Sequence, residues 1–198
     1  YGDPRKRDPI SPFVQLLWDN GSLFEAKVID SLALPFLDLT GATGAEREKL
    51  TYEAMLRREP LIYGGRISSG DLLGDPDLLR LEGVGYVAGD IKSGAGEEDN
   101  GSGSKPKKHY GVQLALYTDI LERRRVASSR HPFIWDVHGD EVTYDLDLPI
   151  GQRKPTTLWD IYQEKLNLGR QIVAGTAPTA AAYGSVCKLC HWRSACVE

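Results

Sequence analysis

From Gly74 to Lys92 the chain reads Gly-Asp-Pro-Asp-Leu-Leu-Arg-Leu-Glu-Gly-Val-Gly-Tyr-Val-Ala-Gly-Asp-Ile-Lys. Two apolar runs, Asp75 to Leu81 and Val84 to Lys92, flank the turn signal Glu82-Gly83 and read as paired strands. With a two-residue loop at Gly83-Val84, Asp77 falls opposite Asp90, Leu79 opposite Ala88 and Leu81 opposite Tyr86, all on one face. Strand side chains alternate with period two, so Lys92 points the same way. The face is apolar near the turn and acidic at its far end. Carboxylates facing each other at about 5 Å repel. A cation between them removes that conflict, and hard oxygen donors with open positions suit Mg²⁺ or Mn²⁺.

Taken alone, Asp-x-Lys fits an exposed hairpin carrying an ordinary lysine. The strand Gly85 to Gly89 before it and the helix after it argue for more. The pattern predicts that helix from Lys107 to Arg123, with Tyr110, Gln113, Leu114, Tyr117, Ile120 and Leu121 in one stripe. Gln113 is polar within that stripe and shares a face with Tyr117, one turn on. A buried amide needs partners. It is either a satisfied core glutamine or, with Tyr117, part of a surface presented to a nucleic-acid strand or to Lys92.

Gly-x-x-Asp, then Asp-x-Lys, then Gln-x-x-x-Tyr, in this order and spacing, resembles the RecB-like branch of the PD-(D/E)xK nucleases. Tyr86 to Gly94 looks like that family's third motif, and Tyr110 to Tyr117 like its closing helix. The resemblance implies that Asp77 and Asp90 are metal ligands, with the Ile91 carbonyl as a third. It implies that Lys92 positions the attacking water and stabilises charge on the phosphate, and that Gln113 and Tyr117 complete the site. Such chemistry is sound on its own terms, because a divalent cation and an amine both stabilise negative charge developing at phosphorus. The family's first motif, Gly-x-x-His-Glu, corresponds here to Gly21-Ser22-Leu23-Phe24-Glu25. Phenylalanine cannot ligate a metal. Glu25 is left to contribute directly or through water; the alternative for it is a solvated helix face.

All three cysteines fall within ten residues, as Cys187-Lys188-Leu189-Cys190-His191-Trp192-Arg193-Ser194-Ala195-Cys196. A Cys-x-x-Cys pair is ready to chelate. Three thiolates are one ligand short of a tetrahedral site, which His191 could complete for zinc, and free or redox-active thiols are the other alternative. The iron–sulfur members of the nuclease branch use one N-terminal cysteine plus a C-terminal Cys-x-x-Cys-x₅-Cys. They include proteins linked to CRISPR adaptation and to helicase–nuclease repair. That resemblance implies a [4Fe–4S] cluster on Cys187, Cys190 and Cys196, with its fourth cysteine upstream of Tyr1 in a missing N-terminal segment. Its role would be structural, tying the chain ends together over the nuclease core.

The rest of the chain suits one soluble domain over residues 1–198, with the cysteine cluster at its C-terminus. No linker separates two independent apolar patterns, and no run of 18 apolar residues could span a membrane. No signal peptide is visible. Clustered thiols point to a reducing cytoplasm. The net charge of −4 is unusual for a nucleic-acid binder, so contact with DNA falls to local basic stretches. Lys105, Lys107 and Lys108 at the helix entrance are the candidates for phosphate contact. Arg123-Arg124-Arg125 at its exit is a second candidate, although such a run more often is a solvated helix end that suits the dipole. Further predicted elements are a helix or helix pair over Pro12 to Leu32, broken or capped near Asn20-Gly21, and a helix over Gly44 to Arg58. A strand is expected over Ile62 to Ile67 and a mobile loop over Gly94 to Ser104. Two strands, Phe133 to Val137 and Glu141 to Leu148, flank a turn containing His138. A last helix is expected over Leu158 to Ala174, with Ile161, Leu166 or Leu168, and Ile172 facing inward.

These readings predict an α/β, restriction-endonuclease-like core: a mixed central sheet flanked by helices. The function expected is a Mg²⁺- or Mn²⁺-dependent DNA exonuclease acting on DNA ends or single strands. Repair, recombination or CRISPR adaptation would be its setting, with a helicase or CRISPR partner. The rivals are a catalytically degenerate iron–sulfur DNA-binding module and a zinc-ribbon interaction protein.

Overall fold

A computed structural model describes residues 4–99, 104–151, 155–177 and 184–197. Helix α1 spans Pro12–Asp30 and is followed by strand β1 (Leu37–Asp38) and helix α2 (Gly44–Leu56). Then come β2 (Leu61–Tyr63), β3 (Ile67–Ser69), β4 (Leu72–Gly74), β5 (Leu78–Glu82) and β6 (Gly85–Ile91). Short strands β7 (Glu97–Asp99) and β8 (Ser104–Pro106) lead into helix α3 (Lys108–Arg123). Strands β9 (Phe133–Trp135) and β10 (Glu141–Thr143), helix α4 (Leu158–Val173) and a short α5 (Arg193–Val197) complete the order.

A six-stranded sheet runs β1-β2-β5-β6-β9-β10. It is mixed: β1–β2 and β6–β9 are parallel, and the other pairs antiparallel. The two faces bury different helices. Ile62, Leu79, Tyr86, Ala88 and Ile134 pack with Met55 of α2, Leu114 and Ile120 of α3, and Leu158 and Tyr162 of α4. Leu61, Leu78, Val87, Ile91 and Phe133 pack on the opposite face with Ile29, and with Phe24 and Val28, of α1. Every residue of β6 is buried, as a central strand covered on both faces should be. Among the described residues no helix is long and apolar enough to cross a membrane.

Several predicted elements differ in extent. Helix α1 is continuous through Asn20-Gly21; a single glycine costs a helix only about 1 kcal/mol. Ser11 caps it, accepting the Val14 N–H at 3.2 Å, and Pro12 opens it. The strand expected over Ile62 to Ile67 is two strands in two sheets. Gly64 lies between them at φ +65°, and a Cβ there would stand 2.6 Å from the Thr40 methyl. Strand β5 starts at Leu78 instead of Asp75, because Pro76 has no amide to give a ladder. Strand β10 stops at Thr143, yet Tyr144 and Leu146 are fully buried beyond it.

The predicted loop Gly94 to Ser104 contains the β7–β8 hairpin, with residues 100–103 outside the described set. Polar contacts anchor its start: Gly96 donates its N–H to Asp136 at 3.0 Å and accepts a bond from the Tyr144 hydroxyl. Helix α4 buries Leu158 and Tyr162, while Leu168 and Ile172 are exposed, because only its N-terminal half is covered.

Candidate active site

The predicted hairpin register is present. Leu78 pairs with Gly89, Leu79 with Ala88, Leu81 with Tyr86 and Glu82 with Gly85. Gly83 takes φ +57° in the turn. Asp77 immediately precedes β5, and its Oδ2 accepts the Ile91 N–H at 2.7 Å. That bond holds Asp77 against the end of β6, next to Asp90. Asp90 alternates with Tyr86 and Ala88, on the α3 side of the sheet, and is 1% exposed. Lys92 Nζ forms an ion pair with Asp90 Oδ2. That oxygen is buried and accepts no well-aligned hydrogen bond.

Two carboxylates set this close in a poorly solvated place disturb each other. Burial, then the charge of Asp90, pushes the Asp77 carboxyl well above the usual carboxylate range, and Glu25 adds to the push. Burial alone would depress the Lys92 ammonium. The charge of Asp90 outweighs it, so the net pull is upward and the amine stays protonated. With both carboxylates ionised the group would hold two negative charges against one ammonium, which is why the proton on Asp77 is held so firmly.

Helix α3 closes the site. Gln113 Nε2 donates to the Tyr117 hydroxyl at 2.8 Å, which in turn lies 3.5 Å from the Asp75 carbonyl oxygen. The polar member of the stripe thus has a partner, and that partner is the tyrosine beside the carboxylates. Burial first, and the charge of Asp90 second, push the Tyr117 hydroxyl up, so it remains a neutral donor. Gly74 lets the ring approach, since a Cβ there would stand 2.6 Å from it.

A family model of the PD-(D/E)XK nuclease superfamily matches residues 14–197. The chain belongs to this superfamily. No curated protein matches it in sequence. The mixed sheet with helices on both faces is the restriction-endonuclease-like fold, and superfamily members are nucleases that use Mg²⁺ or Mn²⁺.

Among the described residues no group of three or more His, Cys, Asp or Glu side chains converges as a metal site. Asp77 and Asp90 offer two carboxylates and would leave the other positions of an ion to backbone or water. A hard divalent cation tolerates that arrangement, because it binds through few carboxylates and keeps several waters. The buried Asp90 Oδ2, met by Lys92 but by no well-aligned hydrogen bond, and the mutual repulsion of the pair fit such an ion. Ile91 gives its amide to Asp77 and lies between Asp90 and Lys92 in the chain.

Glu25 reaches the same neighbourhood. The Tyr63 hydroxyl donates to Glu25 Oε1 at 2.9 Å, and burial with this bond pushes the phenol up. Phe24 turns instead into the apolar cluster under the sheet. Lys107 stands at the edge of the site, its Nζ 5.4 Å from the centre of the Tyr110 ring, with Lys92 Nζ 5.8 Å from the same ring. Lys105 and Lys108 are exposed on β8 and at the start of α3.

The cysteines are not brought together. Among the described residues none of the three forms a disulfide; Cys187 is half-buried, and Cys190 and Cys196 are exposed. Their segment does meet the other end of the chain. Asp8 N–H donates to the His191 carbonyl at 2.7 Å, and Ser194 N–H donates to Asp8 Oδ2 at 3.0 Å. His191 contacts Arg7 and the Trp18 ring.

Sequence reasoning passed over Tyr63, Arg47 and Arg66. Arg47 Nη2 lies 2.6 Å and Arg66 Nη1 3.1 Å from Asp75 Oδ1, two residues before Asp77. The hairpin motif names Asp75, but only the packing of α2 reveals what it holds.

Proposed function

We propose that the chain is a divalent-metal-dependent DNA nuclease of the RecB-like branch, acting as an exonuclease on DNA ends or single strands. The observation that carries this is the buried Asp77–Asp90–Lys92 group at the end of β5 and β6, closed by Gln113 and Tyr117. Asp77, Asp90 and the Ile91 carbonyl would hold a Mg²⁺ or Mn²⁺ ion, which would supply Lewis-acid stabilisation of the phosphate and a water of lowered pKa. Lys92, kept charged by Asp90, offers an ammonium to the developing negative charge and to the attacking water. Tyr117, oriented by Gln113, stays a neutral donor at the rim. Glu25, held by Tyr63, adds negative charge on the far side. Lys107 supplies a phosphate contact at the entrance, with Lys105 and Lys108 exposed beside it.

The exonuclease assignment, a helicase or CRISPR-adaptation partner and a cytoplasmic setting rest on the branch resemblance and the clustered thiols. The spacing Cys187-x-x-Cys190-x₅-Cys196 supports a [4Fe–4S] cluster on these three thiolates and a fourth ligand. A second reading is favoured by Phe24, which packs into the core where the branch has a histidine ligand. On that reading the chain is an iron–sulfur DNA-binding module that has lost its chemistry.

The test is Mn²⁺-dependent cleavage of end-labelled linear and closed circular single-stranded DNA by the parent, Asp90→Ala and Lys92→Ala. Loss of linear DNA alone, abolished in both variants, is the expected result. Cutting of circles makes it an endonuclease. No cleavage in Mg²⁺ or Mn²⁺ removes the nuclease reading, and iron and sulfide analysis then decides whether the binding module stands.

A further inference from the structure

Arg47 and Arg66 come from different parts of the chain, α2 and the turn between β2 and β3. Buried Thr51 ties them together. Its hydroxyl donates to the Arg47 carbonyl at 2.8 Å and accepts the Arg66 N–H at 3.0 Å. Both side chains then converge on Asp75, and each spends one nitrogen there. Arg47 uses Nη2, at 2.6 Å from Oδ1, and Arg66 uses Nη1, at 3.1 Å from both oxygens.

Other arginines of this protein are matched differently. Arg80 takes two carboxylates, Glu82 and Glu141, and engages all three guanidinium nitrogens. Arg130 likewise takes Glu122 and Asp147 through all three. At Asp75 the ratio is inverted: two guanidiniums share one carboxylate, which is itself 46% exposed. The trio has a net charge of +1, and its remaining donors have no protein partner among the described residues. Arg47 Nε is even buried without one. A carboxylate that gathers two guanidiniums while leaving most of their donors unspent prearranges a site for a tetrahedral oxyanion, because forked donors suit phosphate.

The position adds to this. Asp75 lies two residues from Asp77, and its carbonyl oxygen is within reach of the Tyr117 hydroxyl. Lys107 and Tyr110 stand at the N-terminal end of α3, and Tyr117 lies two turns further along. Positive charge thus stands at two places near the carboxylate pair: Lys107 at the start of α3, and Arg47 and Arg66 at Asp75, whose carbonyl oxygen lies near the Tyr117 hydroxyl.

We propose that Arg47 and Arg66, gathered by Asp75, bind a phosphate of the nucleic-acid strand next to the one being cut. The proposal rests on the nuclease reading above. The phosphate is either an internal diester or a terminal monoester, and both present the same oxygens.

The experiment is fluorescence anisotropy of the full chain with labelled single-stranded DNA, 5′-phosphorylated or 5′-hydroxyl, in EDTA across a salt series. Each lost phosphate contact on a single strand lowers the slope of log K against log salt by about 0.7. Arg47→Gln and Arg66→Gln are each expected to lower it by about that amount and to weaken binding about tenfold. Lys49→Gln, on the same helix but paired with Glu53, is expected to leave the slope unchanged. A loss confined to the 5′-phosphorylated strand identifies a terminal phosphate; an equal loss on both identifies a diester.

Should either glutamine variant lower the melting temperature, Arg→Lys at that position carries the test. It keeps the charge and loses the fork, so binding weakens at constant slope. Unchanged affinity and slope in Arg47→Gln and Arg66→Gln overturn the proposal, as does a parent that binds no DNA. Cleavage by the parent with unchanged slopes removes this site and keeps the nuclease; reduced slopes without cleavage do the reverse.

Discussion

The hairpin that carries Asp77, Asp90 and Lys92 and the segment that carries Cys187, Cys190 and Cys196 are both short strings dense in reactive side chains, and the fold treats them in opposite ways. Strand β6 is buried along its whole length, with helices packed on both faces. The cysteine segment is mostly exposed, and hydrogen bonds to Asp8, rather than an apolar core, tie it down. Sheet register and the Ile91 amide bring the carboxylates together, at an electrostatic cost that a proton on Asp77 or a bound cation relieves. No packing does the same for the thiols, so their convergence is left to whatever binds them.

The sharpest test of this contrast compares two leucines. Leu114 is fully buried between α3 and the sheet, whereas Leu189 is 46% exposed in the cysteine segment. Leu114→Ala should cost about 2–5 kcal/mol in denaturant unfolding. Leu189→Ala should stay within about 0.5 kcal/mol. Comparable losses would mean that the C-terminal segment belongs to the cooperative core, and the contrast would fail.

A smaller effect is expected from two glycines. A Cβ on Gly89 would stand 2.2 Å from the Phe133 ring, which is itself buried on the neighbouring strand; at Gly184 nothing lies within 4 Å. Gly89→Ala should cost about 1–3 kcal/mol through overpacking, and Gly184→Ala close to none. Because Gly89 adjoins Asp90, the first variant should also depress cleavage. A Gly89→Ala protein as stable and active as the parent would show that β6 and β9 yield more readily than their packing implies.

The same contrast explains what could be read from the sequence. Period-two alternation and the turn at Gly83 define the β5–β6 register, so the pairing around Asp77 and Asp90 was legible before any fold was known. Helical spacing did the same for Gln113 and Tyr117, although which partner satisfied the glutamine was open. Periodicity failed where the chain leaves a sheet but stays buried. Tyr144 and Leu146 continue the alternation of β10 and give their amides to the Pro132 and Arg130 carbonyls outside a regular ladder, so the strand looked longer than it is. It failed too for Ile172, which keeps an inward pattern yet is exposed near the C-terminal end of α4. Arg47 and Arg66 carry no local signature, because their meaning lies in a tertiary contact to Asp75.

Asp77→Asn probes the cost at the centre of the hairpin. An asparagine oxygen can still accept the Ile91 N–H, while the charge facing Asp90 and Glu25 is removed. Metal-free protein should gain about 1 kcal/mol in stability while cleavage is lost, as when a strained functional group is made comfortable. Cys190→Ser should change neither stability nor Mn²⁺-dependent cleavage of cluster-free protein, because its thiol is exposed. A destabilised Asp77→Asn would mean that the fold pays no penalty for its paired carboxylates.

The smallest effect lies outside both regions and marks the scale against which they are judged. Arg170 on α4 grips Asp71, in the β3–β4 turn, through two bonds of 2.7 Å. Those bonds hold the Asp71 carboxyl down, to about 2. In the unfolded chain the same group titrates at about 4. The folded value is the lower one, so the pair contributes fully above about pH 4, and its contribution is lost as pH falls from about 4 to about 2. Both side chains are exposed to solvent, which screens the pair and keeps its worth small. Asp71→Asn should therefore melt slightly below the parent at pH 7, and the gap should narrow as melting curves are taken down to pH 3. A gap of constant size across that range would mean that the substitution acts through something other than charge. Any larger loss would show that α4 depends on this surface pair for its place against the sheet, and not on Leu158 and Tyr162.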